Sequence, residues 1–341
     1  MPDYIINFFL ISFVIFFTNI LAKKIKRLNN FSGLPHQILT KKEAIPLSGG
    51  LTLIFLIIVK FNFIEINFFF FLMPIFLIGF LADIRILKSP IIRFGLQIII
   101  LSIFIIFLDL TILDIRVPWF DNFLANKYFN YFFVLFCFLV LINGSNFIDG
   151  NNALVIGYYS LIFFVILNLN NFEPNIQYQN FLYFLLISLL TLLIFNIFNK
   201  LYLGDGGVYL LSTITGYFLV KLYADNPNIS PFFIVNLLWY PSFEILFSLI
   251  RKIKAKYSPM DPDTQHLHQL IFRKFLACFN NRVVISNSLT GITINTYHLI
   301  IFYISFLNYS ESLFQVYMIT LNIMIYLFLY FLLKNNLFIK K

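Results

Sequence analysis

Long apolar runs separated by short polar islands make up this chain. A helix that crosses a bilayer needs roughly 20 apolar residues, or about 17 at the short end. By that measure eleven segments are candidates: 4–22, 47–60, 66–82, 90–108, 129–142, 153–169, 179–198, 206–223, 231–250, 293–309 and 313–333. The second and fifth are short and borrow flanking residues, Gly49 and Gly50 among them. The pattern predicts an all-α polytopic membrane protein, a single transmembrane domain over residues 1–341 with a hydrophilic loop at 251–292.

Five islands interrupt the apolar runs: IPLSGG (Ile45 to Gly50), ADIRILK (Ala82 to Lys88), NGSNFIDGNNAL (Asn143 to Leu154), LGDGG (Leu203 to Gly207) and HLHQ (His266 to Gln269). Unpaired polar groups and irregular backbone are costly in hydrocarbon. Such runs therefore lie at the interface or line a protein-walled cavity.

Composition sharpens this picture. Of 341 residues, 60% are hydrophobic and 11% charged, whereas soluble domains carry about a quarter charged residues. A soluble globular protein is excluded. The net charge of +9 does not mark a nucleic-acid binder, because the cations form no single basic face with interleaved aromatics. They serve as topology determinants. With the amino terminus outside, 20 of the 24 Lys and Arg fall in inner loops, leaving Lys60, Arg116, Lys127 and Lys221 outside. All five islands then face the cytoplasm, as does the carboxy terminus. The first segment is too long for a removable signal peptide and lacks a basic start and a small-residue cleavage site. Cys137 and Cys278 sit in an apolar segment and a basic loop, with no disulfide or metal-ligand spacing.

Chemistry confined to one face suits an enzyme that joins a soluble cytoplasmic substrate to a membrane lipid. The rival is a transporter or flippase of lipid-linked or anionic solutes, which predicts polar residues halfway through several helices. Within the islands, Asp205 lies between glycines that allow close backbone approach, so it can hold magnesium against phosphate oxygens or cap the helix starting at Gly206. Asp149 can hold magnesium, orient a sugar hydroxyl or cap the next helix. Asp83 and Arg85 can position a lipid phosphate or form an interfacial salt bridge. His266 and His268 point the same way if extended and suit diphosphate contact or proton traffic; a zinc pair would lack a third ligand. The basic flank from Arg251 to Lys256 attracts polyphosphate or anchors the chain inside. Glu244, two turns before Arg251 on the same face, is a functional candidate or half of a buried pair.

Taken in order, these islands resemble those of the polyprenyl-phosphate N-acetylhexosamine-1-phosphate transferases, the WecA/MraY-like superfamily of glycosyltransferase family 4. Pro35 followed by IPLSGG is similar to that family's first-loop pattern, and GFLADIR to its aspartate-pair loop. NFIDGNNAL is similar to NxxDGxDGL, LGDGG to LGDxGS, and SPMDPDTQHLHQL to the HxHH loop. The chain departs at Ala82 in place of the first aspartate, Asn152 and Ala153 in the third motif, Val208 in the fourth and Gln269 for the third histidine. Asn152 and Gln269 keep polarity and size; Ala82 keeps neither.

The resemblance implies transfer of a sugar-1-phosphate from a UDP-N-acetylhexosamine to undecaprenyl phosphate, with release of UMP and a need for magnesium or, alternatively, manganese. This step initiates cell-surface polysaccharide or O-antigen synthesis at the bacterial cytoplasmic membrane. It implies Asp205 as metal ligand with Asp149, Asp83 at the lipid phosphate, Asp149 and Asn146 at the centre, and His266 and His268 on the nucleotide-sugar. Asn152, Gly204, Lys200, Gln269, Gly49, Gly50 and Arg85 complete the expected substrate-binding set. A catalytically inactive homologue is an alternative, and outward-facing apolar helices leave a homodimer open.

Overall fold

The computed structural model describes residues 3–25, 28, 45–60, 66–169, 176–256, 258 and 265–338. Pro35 and residues 259–264 of the histidine loop lie outside them. The described chain is helical: α1 (Asp3–Lys24), α2 (Gly49–Val59), α3 (Ile66–Asp83), α4 (Pro90–Phe107), α5 (Pro118–Leu124), α6 (Lys127–Ile148), α7 (Leu154–Leu167), α8 (Ile176–Ile197), α9 (Gly204–Asp225), α10 (Pro231–Leu237), α11 (Trp239–Lys254), α12 (Leu267–Cys278), α13 (Val283–Leu307) and α14 (Ser312–Phe338).

Local chemistry sets several boundaries. Proline occupies the first turn of α4, α5 and α10, where its missing N–H costs nothing. The Asn126 side chain caps α6 by accepting from the Tyr128 and Phe129 amides.

Among the described residues, seven helices are long and apolar enough to cross a membrane: α1, α4, α6, α8, α9, α13 and α14. The pair α10 and α11, bent by 72°, makes an eighth, and α2, α3 and α7 are shorter apolar helices. Each segment expected from the apolar pattern coincides with one of these helices or with the bent pair. The expected hydrophilic loop at 251–292 is partly helical among the described residues. It contains the end of α11, all of α12 and the start of α13. The apolar residues of α12, Leu267, Leu270 and Phe272, are buried, so a segment too polar to be read as a span still finds an apolar seat.

Helix α9 is the axis of the bundle. Apart from Asp205, every side chain from Gly204 to Leu219 is buried, and α9 packs against α2, α3 and α6. Ser212, Thr213 and Thr215 donate to carbonyls one turn back, at 2.7, 2.8 and 2.8 Å, which lets polar residues sit in the dry centre. Glycine governs the crossings. A Cβ on Gly79 of α3 would lie 2.5 Å from the Asp205 carbonyl and the Gly206 nitrogen. One on Gly50 of α2 would lie 2.5 Å from the Gly207 nitrogen. Three helix backbones thus meet at the start of α9, as small residues permit. The outer helices α1, α4 and α14 instead expose Phe, Ile and Leu such as Phe13, Ile103 and Phe328, as a lipid-facing rim does.

Candidate active site

The five islands converge at one end of the bundle, around the first turn of α9. The Gly49 and Gly50 amides donate to the Tyr202 and Leu203 carbonyls at 2.9 Å each, and the Tyr202 amide donates to the Pro46 carbonyl at 2.9 Å. This interlock presents Asp205 at the helix start. Asp83, the last residue of α3, accepts from the Asp205 amide at Oδ1 (2.9 Å) and from the Gly206 amide at Oδ2 (3.0 Å). A helix start leaves its first amides without intrahelical partners, and a carboxylate there is also favoured by the helix dipole. Asp83 therefore caps α9. Gly204, at φ +76°, supplies a left-handed turn, and a Cβ there would lie 2.7 Å from Asp83 Oδ2.

With Asp83 in the capping role, Asp205 is left to face outward. Its Oδ2 pairs with Arg93 Nη1 of α4 at 2.6 Å, in a half-buried setting. Nearby, Asp149 closes α6, its amide donating to the Ser145 carbonyl at 3.1 Å, while its carboxylate has no hydrogen bond or ion pair among the described residues. Burial, and then the nearby Asp205 carboxylate, push the Asp149 carboxyl up to about 7. Asn146, one turn earlier, is half-buried.

The next three residues turn inward. Asn152 is 1% exposed; its Nδ2 donates to Asn199 Oδ1 at 3.1 Å and its amide donates to Asn287 Oδ1 at 3.2 Å. Asn151 Nδ2 donates to the same Asn287 oxygen at 2.6 Å. Ala153, in the left-handed region at φ +67°, donates its amide to Asn196 Oδ1 at 2.5 Å, while its carbonyl accepts from Asn295 Nδ2 at 2.8 Å.

On the far side, the edge of the His268 ring abuts Gly150, where a Cβ would stand 2.9 Å from His268 Nε2. His266 and His268 stack with centroids 5.5 Å apart and planes 9° apart, His266 being extended at the N-cap and His268 already in the first turn of α12. Phe147 packs on His266 at 5.5 Å, and Lys252 Nζ lies 5.6 Å from the Phe147 ring centre.

The structure thus gathers Asp83, Asp149, Asp205, His266 and His268 at one end, and adds Arg93. It gives several expected substrate contacts other work. Gly49 and Gly50 are buried at helix crossings, Gly204 seats Asp83, and Asn152 belongs to the asparagine network. Gln269 completes the capping box at the start of α12. Lys200 is exposed in the turn before α9, and Arg85 is exposed with φ +62°. Glu244 is half of a buried pair, one of its two expected readings, with His266 as the partner, while Arg251 bonds the Gln265 carbonyl and the Tyr330 hydroxyl. Arg93 was counted in the sequence only as a topology cation. A lone charge in the first turn of an apolar helix was the available signal.

Among the described residues no three His, Cys, Asp or Glu side chains converge to form a metal cage. Magnesium does not need one: it keeps several waters and binds through one or two carboxylates together with substrate phosphates. The Asp149 carboxylate, unpartnered among the described residues, and the Asp205 carboxylate near it fit that requirement.

The glycosyl transferase family 4 pattern matches residues 65–223, the stretch carrying Asp83, Arg93, Asp149 and Asp205. The match covers a little under half of the chain. The chain is also similar to the undecaprenyl-phosphate alpha-N-acetylglucosaminyl 1-phosphate transferase of Thermotoga maritima, 26% identical over 275 residues that cover 80% of this chain and 81% of that protein. Proteins of the same name from Salmonella typhi and Escherichia coli K12 are each 25% identical over 155 residues. There the match spans 42% of this chain and 41% of the relative. His266 and His268 lie beyond the family 4 match, yet the fold brings them to the same end.

Proposed function

We propose that this protein transfers a sugar-1-phosphate from a UDP-N-acetylhexosamine, UDP-N-acetylglucosamine being the first choice, to undecaprenyl phosphate, with release of UMP. The observation that carries the proposal is the neighbouring carboxylates Asp149 and Asp205, flanked by Arg93 and the histidine pair at one end of an apolar bundle. The relatives' names supply the chemical class. In the reaction an oxygen of the lipid phosphate attacks the phosphorus that bears the sugar. The bond to the bridging oxygen breaks, and UMP leaves with the electron pair.

Two anions must be brought together. Magnesium held by Asp149 and Asp205 would neutralise phosphate charge and draw electron density from the transferred phosphorus. Arg93 Nε and the Tyr202 hydroxyl, buried without a hydrogen-bond partner among the described residues, are donors available for phosphate oxygens. His268 and Lys252 add donors on the far wall. Lipid phosphate is already ionised near neutral pH, so no proton has to be removed before attack, and the capping role of Asp83 is compatible with turnover.

We place the site on the cytoplasmic face of a bacterial inner membrane, with eleven spans and the amino terminus outside, on the strength of the Lys and Arg distribution. Initiation of a cell-surface polysaccharide or O-antigen is the role that follows. The transporter alternative is disfavoured at the opposite end. There Arg116 donates to the Ser310, Pro227 and Ile229 carbonyls and to the Ser312 hydroxyl at 2.9–3.0 Å, tying three connections shut.

The test is release of UMP from uridine-labelled UDP-N-acetylglucosamine by purified protein. Release that requires both undecaprenyl phosphate and magnesium is expected. Absence of release from folded protein across a panel of UDP-N-acetylhexosamines overturns the proposal.

A further inference from the structure

Glu244 is a fully buried acid in α11, outside the family 4 match and with no part in the chemistry above. Its surroundings are specific. Oε1 lies 2.8 Å from His266 Nδ1 and 3.4 Å from the Leu267 amide, and Oε2 accepts from the Tyr326 hydroxyl of α14 at 2.8 Å. A carboxylate only accepts, so Nδ1 carries the His266 ring proton. Two turns along the same helix, Arg251 Nη1 donates to the Gln265 carbonyl at 2.7 Å and to the Tyr330 hydroxyl at 3.1 Å. One face of α11 therefore grips residues 265–267 at successive points while itself braced on α14.

The grip passes outward through the rings. His266 is held by Glu244 on one side and faces the parallel His268 ring on the other. His268 in turn rests against Gly150, the neighbour of Asp149. Packing does not require a carboxylate here, since well-packed apolar replacements of buried ionic groups are often neutral or stabilising.

We propose that Glu244 is a positioning residue: through His266 it fixes His268 against the Asp149–Gly150 corner, and so sets how tightly the nucleotide-sugar is held. The inference rests on the transferase reading for its consequence and on geometry alone for its mechanism.

The experiment uses the full-length protein and the variants Glu244→Leu, Glu244→Gln and His266→Ala, and the Glu244→Leu/His266→Ala double variant. It has two readouts. The first is kcat and KM for UDP-N-acetylglucosamine. Glu244→Leu is expected to raise KM roughly 10-fold or more, the scale of one lost hydrogen bond to a charged group, with a smaller change in kcat. Glu244→Gln, which keeps an acceptor for Nδ1, restores KM to within about 3-fold, well inside that scale. In the His266→Ala background Glu244→Leu adds less than about 3-fold, because coupled residues are not additive.

The second readout needs no substrate: the rate at which diethyl pyrocarbonate modifies His268, resolved by mass spectrometry. It should rise several-fold in Glu244→Leu and not in Glu244→Gln. Should Glu244→Leu fail to fold, Tyr326→Phe, which removes one brace and leaves the carboxylate, should shift both readouts in the same direction by less. Additive effects in the two backgrounds, or an unchanged His268 rate in a folded variant, overturn the inference. A wild-type protein that turns over no UDP-sugar overturns the transferase reading instead, and the modification rate still decides the positioning role.

Discussion

Replacing Asp83 by alanine separates two accounts of this residue. If Asp83 activates the lipid phosphate, its loss removes turnover and leaves the fold intact. The geometry argues otherwise, since both carboxylate oxygens already accept backbone amides of the first turn of α9, at 2.9 and 3.0 Å. Hydrogen bonds to a charged group contribute roughly 1.5–3 kcal/mol each, so two would total about 3–6 kcal/mol. Desolvation and repulsion from Asp205 oppose this, and substitutions of helix caps usually cost about 0.5–2 kcal/mol. We expect a loss near 2 kcal/mol. For a chain of this size that corresponds to a fall of roughly 4 °C in the unfolding midpoint, at about 2 °C per kcal/mol. The assay is thermal unfolding of detergent-purified protein, followed by intrinsic fluorescence, beside UMP release. Asp83→Asn should behave similarly, because the two amides bond different oxygens and the NH2 replacing one of them would face a donor. Transfer should fall with stability, as the freed helix start no longer presents Asp205. An unfolding midpoint within about 1 °C of wild type, together with abolished transfer, would refute the capping argument.

Three further outcomes are expected. Asn152→Asp would restore the aspartate of the related motif, but it removes the donor to Asn199 Oδ1 and places a charge at a position 1% exposed. A loss of roughly 2–4 kcal/mol should appear in chemical denaturation, and a gain in transfer would contradict it. The Asp149 carboxyl, pushed up to about 7, holds a proton below that pH that a divalent ion must displace. Magnesium affinity measured by titration calorimetry should therefore rise with pH up to about 7 and level off above it. In chelator the sign for stability is opposite: the folded state binds the proton more tightly than the unfolded, so the stabilisation is full near pH 4 and is lost as pH rises through 7, a slope that Asp149→Asn should remove. Gly79→Ala would put a Cβ 2.5 Å from α9 backbone. The resulting separation of α3 from α9 should cost about 1–3 kcal/mol and depress transfer, and a fully active, equally stable variant would refute the close crossing.

How much of this was readable beforehand depended on whether a residue's task is local. The helices were legible because hydrocarbon demands long apolar runs, and the convergence of the islands followed from counting those runs. Helix α12 was missed because it carries too few apolar residues to register against the length of a span. The carboxylates stood out as rare charges in an apolar chain. Their division of labour did not: Asp83 and Asp205 both stand at the end of an apolar run, and only the crossing of α3 over α9 makes one the cap and frees the other. The same crossing explains why Gly49 and Gly50 resemble ligand-binding glycines in sequence yet serve packing in the fold.

Arg93 shows the limit from the other side. Its position in the first turn of an apolar helix is equally suited to an inside anchor and to a site cation, and nothing within α4 distinguishes them. The distinction lies in Asp205, 112 residues away and 2.6 Å distant. Asn152 makes the converse point. The motif resemblance marks it as a departure at a substrate-binding position, whereas the fold surrounds it with Asn199, Ser288 and Asn287, partners that include two further asparagines from distant segments. An asparagine can both donate and accept there; an aspartate can only accept. The substitution therefore belongs to a network rebuilt as a whole, and its presence does not count as a missing catalytic group.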